Sequence, residues 1–242
     1  MNERPHSILE VKNLSVSFGD NQVLSDISFS VSNGAVLAII GPNGAGKSVL
    51  FRAILGLIPY TGEVDWQPDV KISFVPQRFA VEAGFPLSVR EFLLMKTDEN
   101  KIADLLEMTG LGDDKTVLDK SLSSLSGGQL QRVMIAWAIA NDPDIILFDE
   151  PLTGIDVGGE ETIYNLLDKL NKEQNKAIIT ISHDLGMVFK YAKQVLCLNK
   201  KMVCLGEPKE VITHETTEKL YGHLATHHDH NHDHSKEINK NI

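Results

Sequence analysis

At 242 residues the chain fits one large domain, or one domain with a subdomain inserted in it. Its 42% hydrophobic and 23% charged residues allow a sizeable buried core. A formal net charge of −10 argues against a general nucleic-acid binder, whose surface is normally basic.

From the N-terminus, "ILEVKNLSVSFG" and "NQVLSDISFSVSNG" alternate apolar and polar residues. They predict short antiparallel strands with turns at Gly19-Asp20 and Asn33-Gly34. "AVLAIIG" (35–41) reads as a strand covered on both faces. From Lys47, apolar Val49, Leu50, Ile54 and Leu57 follow helical spacing, and "VKISFVPQ" is a further strand. Between about 83 and 140 strand signals give way to helical ones: "VREFLLM", "NKIADLLEMTGL" and "GGQLQRVMIAWAIA". The last of these sets Leu130, Val133, Met134 and Trp137 on one face and ends at Asn141-Asp142-Pro143. Strands return in "DIILFDE", "AIITIS", "QVLCLN" and "MVCLG".

This order predicts an α/β core, an N-terminal antiparallel β subdomain and an inserted α-helical subdomain over about 83–140. There is no internal repeat. No apolar run approaches the roughly 18 residues of a membrane span, and "MNERPHSILE" lacks a secretory core. A cytosolic chain is expected, so work at a membrane would need a separate membrane partner. Cys197 and Cys204 are expected to be small core residues in a reducing compartment, with a disulfide or a metal role as the lesser alternative.

"GPNGAGKS" (41–48) matches G-x-x-x-x-G-K-[ST] between a buried strand and a helix, the context of a P-loop. Gly41, Gly44 and Gly46 let the backbone, through Pro42, Asn43 and Ala45, turn its N–H groups inward around phosphate oxygens. Lys47 is placed to reach the β- and γ-phosphates, Ser48 to offer a hydroxyl to Mg²⁺, and Val49 closes the segment. At the C-terminal end of the strand "IILFDE", Asp149 is placed to hold Mg²⁺ and Glu150 to activate water. The pair predicts a nucleoside triphosphatase with a P-loop NTPase (RecA-like) core.

"LSGGQ" (125–129) lies between those two motifs. With it, the sequence from Ile8 to about Tyr221 resembles the ATP-binding cassette (ABC) ATPases, which implies that residues 1–222 form one such domain. The resemblance implies ATP and Mg²⁺ as ligands. It implies an adenine-stacking role for Phe18, which can alternatively be a core residue of the first strand pair. Gln77 in "VPQR" matches the Q-loop residue that touches Mg²⁺ or water. Asp156 in "PLTGID" matches the D-loop, and His183 in "TISHDL" the γ-phosphate switch. Ser126, Gly127, Gly128 and Gln129 are implied to cover the ATP held by a second copy, so that two chains sandwich two nucleotides.

Three functional classes follow: the ATPase subunit of a membrane transporter, a soluble ABC ATPase of repair or translation, and a metal-binding protein. The chain has room for neither a second cassette nor a long coiled-coil insertion, which favours the first. It implies a peripheral subunit on the cytoplasmic face of the inner membrane, paired with permease subunits and, indirectly, an extracytoplasmic metal-binding protein, with no nucleic acid. "GPNGAGKS", "VPQR", "FPLSVREFLLM" and "PLTGID" resemble the metal-ion uptake group, with zinc or manganese as cargo and iron or its chelates as the alternative.

The end of the chain, 223–242, is polar and low in complexity, and disorder is expected there. His227, His228, His230, His232 and His234 fall within eight residues together with Asp229 and Asp233. Neutral imidazoles suit Zn²⁺ and disfavour Mn²⁺, so a zinc-binding tail is one expectation. An inert tail and a purification tag are the others.

Overall fold

In the computed structural model the described residues are 7–79, 81–114, 116–152, 155 and 157–222. Two sheets organise them. The smaller is antiparallel in the order β2–β1–β4, from β1 (Ser7–Phe18), β2 (Asn21–Ser32) and β4 (Thr61–Trp66). The larger runs β5–β6–β7–β3–β8–β9, from β3 (Val36–Ile40), β5 (Ile72–Val75), β6 (Ile145–Asp149), β7 (Ala177–Ile181), β8 (Gln194–Asn199) and β9 (Lys201–Gly206). Its first five strands are parallel, and only β9 is antiparallel to its neighbour.

Alternation along the central strands divides the core in two, because successive side chains leave opposite faces of a strand. Leu37 and Ile39 of β3, with Ile145 and Leu147 of β6, pack with the small sheet and helix α1 (Lys47–Ile54). Ile146 and Phe148 of β6 join the other face. There they meet α2 (Val89–Leu94), α3 (Glu99–Met108), α4 (Gly127–Ile139) and α5 (Val157–Gln174). Ala38, Ile40, Val195 and Cys197 belong to a third cluster. It is completed by α6 (Leu185–Tyr191), α7 (Pro208–Val211) and α8 (His214–Tyr221). β3 and β6 are buried along their whole lengths, as their unbroken apolar runs require.

The expected α/β architecture is therefore present, with helices between β5 and β6 where helical signals replace strand signals. Three details differ. The first strands are long, at 12 residues each, and β4 adds a third partner whose Gly62 and scattered charges gave no alternating signal. Helix α1 stops at Ile54 because Gly56 turns left-handed (φ 69°). Leu57 is consequently 63% exposed rather than on the buried face. Cys197 and Cys204 are not separate core thiols. They stand opposite each other on β8 and β9, Cα–Cα 4.8 Å, and are joined as a disulfide. The reason is the tight β8–β9 turn, which brings residues seven apart in sequence into register.

Among the described residues no helix is long and apolar enough to cross a membrane. Leu147 is fully buried at the centre of the α1-side core. Leu147→Ala should cost about 2–5 kcal/mol, through lost transfer energy and the cavity left behind. Urea unfolding followed by circular dichroism measures it, as a lowered midpoint with an unchanged slope.

Candidate active site

β3 ends in the loop 41–48, and α1 begins at Lys47, so the loop amides stand at the positive end of that helix. Glycine is required at two points for separate steric reasons. A Cβ on Gly41 (φ 155°) would collide with the Leu198 carbonyl. One on Gly46 (φ 96°) would come within 2.6 Å of Leu24. The loop is thus wedged between β8 behind it and β2 beside it. The β8–β9 turn adds a direct tie: the Lys200 N–H donates to the Ala45 carbonyl (2.9 Å). Lys200 is in turn held by the Ser25 N–H, which donates to its carbonyl (2.8 Å). Tyr221 at the end of α8 takes a hydrogen bond from the Gly41 backbone, and burial raises its phenol above its ordinary range.

Lys47 is buried and donates to the Gly41 (2.7 Å) and Pro42 (3.0 Å) carbonyls, which holds its ammonium across the loop. Burial lowers its pKa, opposed by the negative charges of Glu150 and Asp149. Those three side chains therefore share one electrostatic site.

The two carboxylates at the end of β6 differ in surroundings. Asp149 is 6% exposed. Burial holds its carboxyl above the ordinary range, a hydrogen bond with Ser48 opposes this, and the Glu150 charge adds to it. Its Oδ1 is buried without a hydrogen-bond partner. A buried, unpartnered carboxylate oxygen beside a serine hydroxyl suits a hard divalent cation, so the donor set fits Mg²⁺. Glu150 sits in a left-handed backbone conformation (φ 52°), unusual outside glycine. Its Oε2 accepts from Gln77 Nε2 at 2.5 Å, and its Oε1 pairs closely with His183 Nε2. Residues 73 and 33 positions apart in sequence thus converge on one carboxylate.

Phe18 is 52% exposed at the end of β1, which rules out the core role. Ser126 caps α4: its hydroxyl accepts from the Gln129 N–H, and the Gln129 side chain accepts from the Ser126 N–H, both at 3.2 Å. Ser126 and Gly127 are exposed, and a Cβ at Gly127 would meet nothing. Among the described residues no hydrogen bond joins this cap to the P-loop. Asp156 and the five tail histidines lie outside the described residues. Sequence reasoning missed Lys200, which acts through its backbone, and Tyr221, whose phenol meets the Gly41 backbone, because no motif exists for either contact. A cavity of about 480 Å³ between α5 and α6 is lined in part by Glu150 and His183 and by none of 41–48.

The raised pKa of Asp149 sets a pH dependence. The folded carboxyl holds its proton more tightly than the unfolded one, so its ionised form opposes folding at neutral pH. That penalty is relieved as pH falls through the raised folded value, and fully so below the ordinary 3.8. Without nucleotide, Asp149→Asn should melt above the wild type at pH 7, with the gap closing on acidification. It should also lose the Mg²⁺-dependent stabilisation by ATP. Thermal melts with and without Mg²⁺–ATP test both, and a lower melting point for the variant at pH 7 contradicts the reading.

Comparison with known proteins agrees with this geometry. The family model described as "ABC transporter" matches residues 24–153. The zinc import ATP-binding protein ZnuC of Yersinia enterocolitica is 38% identical, over 97% of this chain and 97% of its own. ZnuC of Pseudomonas entomophila is 36% identical, over 98% and 93%. Among solved structures, a metal-chelate type ABC transporter in an inward-facing conformation aligns with TM-score 0.77 and 28% identity, covering 89% of each chain. The ATP-binding cassette of another ABC transporter, in its ADP conformation, aligns with TM-score 0.75 and 26% identity, covering 89% of this chain and 98% of that one. The chain belongs to the ABC transporter family, as one of its ATP-hydrolysing ATP-binding subunits.

Proposed function

We propose that this ATPase energises the import of a metal ion, zinc, through a separate membrane permease, acting as a pair of copies on the cytoplasmic face of the inner membrane. The observation that carries the catalytic part is the Glu150 carboxylate held between Gln77 and His183. The zinc assignment rests on the ZnuC relatives, whose similarity runs along nearly the whole chain.

In this reading Lys47 and the amides of 41–48 bind the β- and γ-phosphates, and Phe18 stacks on adenine, which needs only a ring face. Bound Mg²⁺, held by Ser48, Asp149 and Gln77, would neutralise charge building on the phosphate oxygens. Glu150 takes the proton of the attacking water at a carboxylate oxygen. Gln77 and His183 fix that carboxylate, and His183 also answers to the γ-phosphate. Ser126, Gly127, Gly128 and Gln129 come from the second copy, with the exposed amides at the start of α4 facing the nucleotide. Asp156 matches the D-loop of the family. Manganese and iron remain the competing cargoes, since no cassette residue touches the ion.

The permease is expected on the surface after Gln77, where Phe79, Phe85, Leu94 and Met95 are each exposed. The tail is a separate zinc-binding element that buffers or senses zinc emerging from the permease.

Glu150→Gln should bind Mg²⁺–ATP about as well as the wild type while hydrolysis falls by roughly 10²-fold or more, because only the proton transfer is lost. Turnover by the complex with its permease, and gel filtration with ATP, report this as inactivity and a persistent dimer. Near-normal turnover contradicts the role. In proteoliposomes, ATPase activity should rise with zinc and its extracytoplasmic binding protein. Stimulation by manganese or iron but not zinc overturns the cargo.

Deleting 226–242 should leave basal ATPase unchanged and remove micromolar zinc binding in calorimetry. Zinc binding unchanged by the deletion contradicts the chelator role.

A further inference from the structure

The nucleotide loop rests on the β8–β9 hairpin, and the hairpin carries the only two cysteines of the sequence. Three contacts define the support. The Leu198 carbonyl stands where a Cβ of Gly41 would be. The Lys200 N–H holds the Ala45 carbonyl, and the Lys200 carbonyl is anchored on Ser25 of β2. Lys200 is itself left-handed (φ 59°), a conformation that the turn must impose on it. Cys197 pairs with Ile40, the residue before the loop, on one side and with Cys204 on the other. The hairpin register shifts between Cys197 and Leu198, immediately before the residues that touch the loop. Up to the pair the ladder is regular; beyond it the pairing is offset by one residue, with Leu198 opposite Met202 and Asn199 opposite Lys201. A covalent link at this place fixes the register in which the turn meets the loop.

We infer that Cys197 and Cys204 form a thiol–disulfide modification site that tunes nucleotide binding by fixing or freeing the hairpin that supports the P-loop. The opposed positions, Cα–Cα 4.8 Å, lie within the range that a disulfide spans, so the bond opens and closes with little backbone movement. Cys197 is fully buried and Cys204 is partly exposed, which sets the order of attack. The Cys204 thiolate attacks one sulfur of a low-molecular-weight disulfide, breaking its S–S bond and expelling one thiolate. The Cys197 thiolate then attacks Cys204 Sγ of the mixed disulfide, forming the Cys197–Cys204 bond and expelling the second. The protein loses two electrons and two protons, and the small disulfide becomes two thiols. In a reducing compartment disulfides serve as transient sensors rather than structural staples, so on the cytoplasmic side proposed above this bond would report oxidising conditions.

The test uses the full chain and a non-hydrolysable ATP analogue with Mg²⁺. Oxidised glutathione is the oxidant, and alkylation under denaturing conditions followed by intact mass counts the free thiols. Oxidation should take the count from two to none and tighten analogue binding by roughly fivefold or more, reversibly with dithiothreitol. Cys204→Ser should bind as the reduced wild type under both conditions. Equal affinity in the two states, thiols that stay free, or a redox response retained by Cys204→Ser overturns the inference. Absence of analogue binding in both states would instead contradict the nucleotide site itself, and the inference with it.

Discussion

Everything else in this chain depends on a backbone loop being held in a shape that its own sequence cannot hold alone. Six residues between β3 and α1, with the first two of the helix, must present several amides to one anion, and the glycines that permit this also make the loop conformationally costly. The cost is met by contact. Gly41 presses on the Leu198 carbonyl, Gly46 on Leu24, and Ala45 is tied to the β8–β9 turn. Two strands and one turn thus fix one loop. The missing side chains matter as much as the motif, because a methyl group at either glycine would push the loop off its support.

The carboxylates at the end of β6 show how neighbouring residues of similar chemistry take different tasks. Asp149 is buried, with one oxygen unpartnered, and gains from a cation. Glu150 is turned by a left-handed backbone toward Gln77 and His183, which occupy both of its oxygens. Such a backbone conformation costs on the order of 1–3 kcal/mol and is retained where surrounding structure imposes it. Here the Gln77 and His183 contacts supply that structure. One carboxylate is suited to hold charge and the other to handle a proton.

Much of this was legible in the sequence, for identifiable reasons. β3 and β6 announce themselves because strands buried on both faces must be apolar throughout, and the P-loop because close phosphate approach demands glycine at fixed spacing. The end of α1 was misjudged since apolar spacing continues to Leu57 while Gly56 has already turned the chain. β4 was missed because it pairs at the edge of a half-exposed sheet and carries charge. The cysteine pairing was missed because it depends on hairpin register, which spacing alone does not fix. Lys200 supports the loop through backbone groups that any residue carries, and Tyr221 through a phenol that no motif marks. Glu150 was identified from its place at the end of an apolar strand beside the P-loop, and Gln77 and His183 one at a time through family resemblance. Their convergence on one carboxylate is a property of the fold.

In the proposed function the ATP site is divided between two copies, and among the described residues no hydrogen bond joins the Ser126–Gln129 cap to the P-loop. Mixing two inactive variants tests this most directly. A Lys47→Ala chain lacks a working P-loop, and a Ser126→Arg chain lacks a working cap. A mixed pair contains one site with both parts intact, whereas neither pure pair contains any. Steady-state ATP hydrolysis of the permease-bound mixture should therefore rise well above that of either variant alone. Activity that never exceeds the sum of the two would contradict a site shared between copies.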